Sequence, residues 1–242
     1  MKLLIVRHAD PDYSIDSLTE TGWIEAEILS RRLSKLDVKA FYVSPRGRAK
    51  DTASLTLKAM GREATECQWL REFDALAKKP YENRDNIAWD WIPESWTDDA
   101  DSYDPDRWMD SKLFQGTRVG EEYRWVAAEL DKLLASYGYV RERNYYRAVE
   151  PNEDTIVFFC HFGLESVLLS HLLHVSPMVL WQGTCAAPSS VTTVVTEERR
   201  KGIAAFRVIG FGDTSHLYEA GREPSFSGRF CETYDNETQR RD

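Results

Sequence analysis

Apolar positions alternate along the chain between short continuous runs and stripes at helical spacing. Lys2–Val6 is a strand-sized apolar run that stops at Arg7-His8. A helix is expected next, with Trp23, Ala26, Leu29, Leu33 and Leu36 on its apolar stripe. Glu20, Glu25, Glu27, Arg31 and Lys35 fall among its polar positions. Thr19 suits the N-cap and Glu20 the positive end of the helix dipole. A second strand, about Ala40–Val43, ends at Ser44-Pro45, and a second helix, about Arg48–Met60, stops at Gly61.

From Trp69 to about Gly116 the periodicity disappears. Trp89, Trp91, Trp96 and Trp108 stand among prolines and acids, which predicts an irregular insertion (about 73–118) lying over one end of a sheet. Regular order resumes in a helix over about Glu121–Ser136, with Tyr123, Val126, Ala127, Leu130, Leu133 and Leu134 in its pattern. Thr155–Cys160 is apolar on both faces, as a central buried strand would be. His161-Phe162-Gly163 then opens a helix to about His174, and strands follow near Val191–Thr196 and Ala204–Ile209. The polar end, about 222–242, reads as a loose tail. No internal repeat is visible. Strands alternating with helices predict a single α/β domain over 1–242, with a largely parallel sheet.

Composition narrows the class. The chain has 242 residues, 42% hydrophobic and 29% charged, enough for a sizeable core and unlike collagen, low-complexity or disordered chains. No apolar run approaches the roughly 20 residues of a bilayer span, and Arg7 comes too early for a signal-peptide core, so the expectation is a cytoplasmic protein with no membrane partner. Thirty-one Lys and Arg against forty Asp and Glu give a net charge of −9, with no basic stripe that would bind nucleic acid. Cys67, Cys160, Cys185 and Cys231 are scattered and read as reduced thiols. The sequon Asn236-Glu237-Thr238 is idle in that compartment.

In α/β sheets, sites form outside the carboxyl ends of strands. His8 follows the first strand with Arg7 beside it, His161 follows the strand Thr155–Cys160, and Arg46 and Arg48 follow the second strand. If those strands are neighbours, two imidazoles and one or two guanidiniums converge. Guanidinium forks and the N–H groups of a helix N-terminus, here Phe162 and Gly163, together suit phosphate oxygens.

These residues resemble the histidine phosphatase superfamily, the phosphoglycerate mutase-like family. Leu4-Ile5-Val6-Arg7-His8-Ala9 resembles its Arg-His-Gly signature, and Leu18-Thr19-Glu20-Thr21-Gly22 with Ala26 its following helix start. Ser44-Pro45-Arg46-Gly47-Arg48-Ala49-Lys50-Asp51-Thr52-Ala53 resembles its S-P-x-x-R-A-x-Q-T-A segment, which makes Arg48 rather than Arg46 the pocket arginine. Leu70-Arg71-Glu72 resembles the segment carrying the acid, Phe159–Gly163 the second-histidine segment, and Gly212–Leu217 a closing segment. The resemblance runs in order over about residues 2–217.

It implies a three-layer α/β/α sandwich and a metal-independent, cofactor-free phosphatase acting on a small-molecule phosphate ester. Its implied nucleophile is His8, which accepts the phosphoryl group. Arg7, Arg48 and His161 hold the oxygens, assisted by the Phe162 N–H, and Glu72 protonates the leaving oxygen and later activates water. Ala9, Asp51 and Phe162 depart from the usual glycine, glutamine and glycine. Ser14 stands where similar mutases keep asparagine, and their longer recognition segments are missing. Phe162 also argues against the family's other branch, which has Asp after the second histidine. The alternatives are a bisphosphate-primed mutase and a non-catalytic phospho-ligand binder. The oligomeric state is open.

Several features read as structural. Arg46 is expected to be solvated, His216 to bond near the site, and His171 or His174 to be buried or capping rather than zinc ligands. A calcium loop starting at Asp99 would need Gly at its sixth place and Glu at its twelfth. Those places hold Asp104 and Asp110, so the aspartate cluster reads as a solvated face. The insertion's tryptophans are expected to form its own small core. Its acidity, with the flat apolar faces its tryptophans offer, predicts small monophosphates with a neutral or ring-like body in preference to bisphosphates and phosphoproteins.

Overall fold

The apolar runs bounded by turn residues form strands, and the first of them is placed at the middle of the sheet. The computed structural model describes residues 1–239. The amino-terminal half contains β1 (Lys2–Arg7), β2 (Pro11–Asp12), β3 (Ser17–Leu18), α1 (Glu20–Leu33), β4 (Ala40–Val43), α2 (Gly47–Met60) and β5 (Thr65–Glu66). The insertion contributes β6 (Leu76–Ala77), β7 (Asn86–Ile87) and α3 (Pro93–Trp96), and leads into α4 (Val119–Ser136). Then come β8 (Tyr139–Glu142), β9 (Tyr145–Ala148), β10 (Thr155–Cys160), α5 (Phe162–Leu173) and α6 (Pro177–Gly183). β11 (Val191–Arg200), β12 (Ile203–Asp213) and α7 (Ser215–Glu219) complete the fold.

The main sheet has eight strands in the order β5-β4-β10-β1-β11-β12-β9-β8. β5, β4, β10 and β1 run parallel, as their helical crossovers require. From β11 outward every pairing is antiparallel, so the sheet is mixed rather than mostly parallel. The cause is local: β8–β9 and β11–β12 are hairpins turning at Arg143 and Gly202, both with positive φ. The β8–β9 hairpin, α6 and α7 were not legible in the apolar pattern.

Side chains alternate across β1 and β10 to fill two cores. Leu3, Ile5, Ile156, Phe158 and Cys160 face α4, α5 and α6, while Leu4, Val6, Val157 and Phe159 face α1 and α2 through Leu29, Leu33, Ala49 and Ala53. This is the expected three-layer arrangement. Truncating a fully buried Phe158 to Ala would cost about 3–5 kcal/mol.

Two readings of the pattern are corrected by packing. Trp89, Trp91 and Trp108 do not make a separate small core but join the main one, Trp89 and Trp108 both against Trp181 of α6. On α1, Trp23 and the following Leu36 are exposed, whereas Glu25 is buried because its carboxylate accepts the Asp10 N–H at 2.8 Å. Thr19 caps α1 by accepting the Gly22 N–H at 3.0 Å, and Gly61 ends α2 in the left-handed region, as expected. No helix among the described residues is long and apolar enough to cross a membrane.

Candidate active site

Three adjacent parallel strands end level with one another. Arg7 pairs with Cys160 and Val43 with Phe159, so the next residues, His8, Ser44 and His161, emerge side by side at the carboxyl edge. Backbone bonds continue past the strands, from His8 N–H to the Cys160 carbonyl (3.0 Å) and from Ser44 N–H to the Phe159 carbonyl (2.9 Å). The two imidazoles are buried, their ring centroids 5.1 Å apart.

Each ring has a defined orientation. His8 Nδ1 lies 2.8 Å from the Ala9 carbonyl, which can only accept, so Nδ1 carries the proton and Nε2 keeps its lone pair. His161 Nε2 lies 2.8 Å from Ser44 Oγ, while its buried Nδ1 has no partner. Burial, then the Arg7 charge, holds the His8 pKa well below 6.5. Burial, then His8 and the arginines, does the same for His161. Both rings are neutral at pH 7.

Arg7 and Arg48 bring positive charge to this spot. The Arg7 side chain donates through Nη1 to the Ala186 carbonyl and, at 3.4 Å, to the Ser227 carbonyl. Arg48, at the start of α2, donates to Asp16 Oδ1 at 2.6 Å. The Nε atoms of both arginines are buried and have no hydrogen-bond partner. Glu72 follows a 3-10 turn over Gln68–Leu70, and its Oε1 accepts the N–H groups of Phe73 (2.9 Å) and Leu164 (3.0 Å). Desolvation of that carboxyl pushes its pKa up to about 7, against the opposing pull of those N–H groups and of Arg48 and Arg7. A group titrating there can both give and take a proton near neutrality.

The structure thus brings His8, His161, Arg7, Arg48 and Glu72 together, with Phe162 as the first residue of α5 and its ring 6.5 Å from Trp89. Arg46 points elsewhere, bonding Asp74 at 2.8 Å. His171 and His174 engage different carboxylates, Asp131 at 2.9 Å and Asp106 at 3.7 Å. His216 bonds Ser189 Oγ at 3.2 Å, and Ser189 N–H in turn binds the His8 carbonyl, so its expected place beside the site is found.

Sequence reasoning missed Asp16, Ser44 as a partner of His161, and the tail. Ser225 Oγ donates to Asp10 Oδ1 at 2.5 Å, and a Cβ at Gly228 would come within 2.7 Å of Arg7 Nη2. The stretch expected to be loose is therefore laid in part on the site, while its last three positions, 240–242, lie outside the described residues. No periodic signal marks these contacts, since each is a single polar or small residue in a loop.

Comparison with known proteins bears on the family and the fold. The family model of the histidine phosphatase superfamily (branch 1) matches residues 3–208. No curated protein sequence matches the chain closely enough to count as a relative. Among solved structures, the chain is similar to mycobacterial glucosyl-3-phosphoglycerate phosphatase, with TM-score 0.59 and 18% identity over 88% of this chain and 99% of that one. It is also similar to an Entamoeba histolytica phosphoserine phosphatase mutant bound to phosphoserine, with TM-score 0.56 and 16% identity over 89% and 98% of the respective chains.

Proposed function

This chain belongs to the histidine phosphatase superfamily (branch 1), and from that premise we propose that it hydrolyses small phosphate monoesters through a phosphohistidine at His8. The observation that carries the reading is the lone pair of His8 Nε2, freed by the Nδ1–Ala9 bond and set among two arginines and a protonatable carboxyl.

In the first half-reaction His8 Nε2 attacks phosphorus as the bond to the ester oxygen breaks, and the leaving alkoxide takes the Glu72 proton. In the second, Glu72 removes a proton from water as its oxygen attacks phosphorus. The N–P bond breaks, and phosphate and neutral His8 are regenerated. Arg7 and Arg48 stabilise charge on the transferring oxygens without reorganising, a type of contribution worth about 10²–10³ in rate per donor. Ser44 Oγ accepts the Arg46 N–H at 3.2 Å and can give its own proton to His161 Nε2. His161 Nδ1–H is then a donor for a phosphoryl oxygen. A positioned acid such as Glu72 contributes on the order of 10²–10⁴.

The substrate class follows from charge. The insertion's aspartates bond locally: Asp99 caps its own turn and accepts Ser111 Oγ, and Asp104 and Asp101 pair Arg107. Its buried Lys79 is engaged by Glu82 at 3.4 Å and by the Asp90 carbonyl at 3.2 Å, so this cation is not free to receive another phosphate. Monophosphates with a neutral body fit this setting better than bisphosphates, whereas the insertion's Trp89, Trp91 and Trp108 are buried and offer no face to a ring. The test is release of phosphate from a panel of monophosphates and bisphosphates in excess chelator, with His8→Ala as the blank. Turnover by His8→Ala equal to the wild type would refute the reading.

A further inference from the structure

One buried carboxyl beside this site is left idle by the reaction described. Glu165 lies in the first turn of α5, four residues beyond His161 and directly after Leu164, whose N–H holds Glu72. It is 1% exposed, and the hydrogen-bonding group that meets its carboxyl is the Thr192 hydroxyl of β11. A carboxyl buried this deeply costs stability even with one hydroxyl beside it, so packing alone does not explain its presence.

The groups around it come from every neighbouring element. Arg7 at the end of β1 favours its charge, and the Thr192 hydroxyl of β11 faces it with the same effect. Glu72, from the loop after the 3-10 turn, opposes its charge, and the Cys160 thiol at the end of β10 is raised by burial first and then by both carboxyls. Desolvation is nonetheless dominant and pushes Glu165 up to about 7, where Glu72 also lies.

We propose that Glu165 is a positioning residue for Glu72: a second carboxyl in the same water-poor space whose negative charge raises the cost of ionising Glu72 and so keeps the donor proton there. The proposal rests on the reading of Glu72 as the proton donor. Glu72 accepts two backbone N–H bonds and faces two arginines, all of which favour its ionised form. Desolvation is the largest influence opposing them, and a neighbouring carboxylate adds to it. Like-charge repulsion between the two carboxyls is reciprocal, so the effect of Glu72 on Glu165 is also exerted by Glu165 on Glu72. The pair then loses its protons in two steps rather than at one pH.

The test compares the pH dependence of kcat for glycerol 2-phosphate in wild type, Glu165→Gln and Glu165→Leu. Its alkyl leaving group needs the Glu72 proton. Both variants are expected to move the alkaline limb to lower pH, so the variant-to-wild-type ratio falls by about 2.5-fold between pH 6 and pH 8, a shift of roughly half a unit. A constant ratio across that range would reduce Glu165 to a structural part and overturn the proposal. Gln keeps the shape and Leu the apolar packing, so one folded variant suffices. A second readout needs no turnover: carboxyl ¹³C titration of Glu72, its resonance identified by its loss in Glu72→Gln. Its midpoint should fall in Glu165→Gln, and an unchanged midpoint contradicts the coupling. Failure of the wild type to hydrolyse any monoester would instead remove the proposed function.

Discussion

Asp16 holds Arg48 from the side. Its Oδ1 accepts Arg48 Nη1 at 2.6 Å, and its Oδ2 accepts the Gly47 N–H at 2.8 Å, joining the loop after β2 to the first turn of α2. Asp16 keeps a positive φ of 49°, and its carbonyl approaches Gly47 so closely that a Cβ there would lie 2.1 Å away. The loop is thereby locked and the guanidinium's direction fixed.

Asp16→Ala should therefore reduce kcat/KM by about tenfold or more, because a charge-assisted hydrogen bond is worth roughly 1.5–3 kcal/mol and Arg48 would lose its orientation. Steady-state kinetics check this. Activity equal to or above that of the wild type would show that Asp16 competes with substrate instead of aiming Arg48.

The pH profile should depend on the leaving group. His8 must be neutral, and its lowered pKa keeps it so well below pH 6.5. Glu72 must be protonated to assist an alkoxide, so activity on alkyl phosphates should decline as pH rises through about 7. For an aryl phosphate that leaves as a stabilised phenolate, the phosphorylation step should lose most of that decline. Single-turnover rates from pH 5 to 9 distinguish the two. Identical alkaline limbs would argue against Glu72 as the acid.

Stability should carry the opposite signature from most carboxylates. Glu72 and Glu165 are raised from 4.5 to about 7 in the fold, so between those values the folded protein binds more protons than the unfolded chain. Stability is then lost as pH rises from about 4.5 to about 7, by on the order of 1–3 kcal/mol per group. Glu165→Leu should raise the denaturation midpoint more at pH 8 than at pH 5. A gain independent of pH would contradict a buried titrating carboxyl.

Gly163→Ala should be poorly tolerated. A Cβ at this second position of α5 would fall 1.3 Å from Cζ3 of the buried Trp89 ring. Overpacking of this kind costs about 1–3 kcal/mol and would also displace the neighbouring Leu164 N–H from Glu72. Urea unfolding measures the first effect and kcat the second. Wild-type values for both would mean that Trp89 moves aside freely.

The parallel half of the fold, and the gathering of the candidate site residues at its edge, were legible because they rest on local rules. An apolar run ending in Arg7-His8, and another ending in Cys160-His161, specify strands whose register then brings the histidines together. The antiparallel half was harder: the Tyr139–Ala148 hairpin is short and half polar, and its signal is diluted by Arg141 and Arg143. Glu25 and Glu165 look like ordinary polar helix positions, yet both are buried, one by a backbone N–H it accepts and the other with the Thr192 hydroxyl beside it. Asp16 and the Ser225–Gly228 contacts depend on loops whose course no periodicity encodes.

The most direct test of the central claim is to trap the phosphoenzyme. Rapid acid-free quenching after mixing with a ³²P-labelled aryl phosphate should give labelled protein that is stable to alkali and labile to acid, as phosphohistidine is. The label should map to the peptide containing His8 and be absent from His8→Ala, while Glu72→Gln should accumulate it through slower hydrolysis. Full turnover of the wild type with no label on His8, or a label that persists in His8→Ala, would contradict the account.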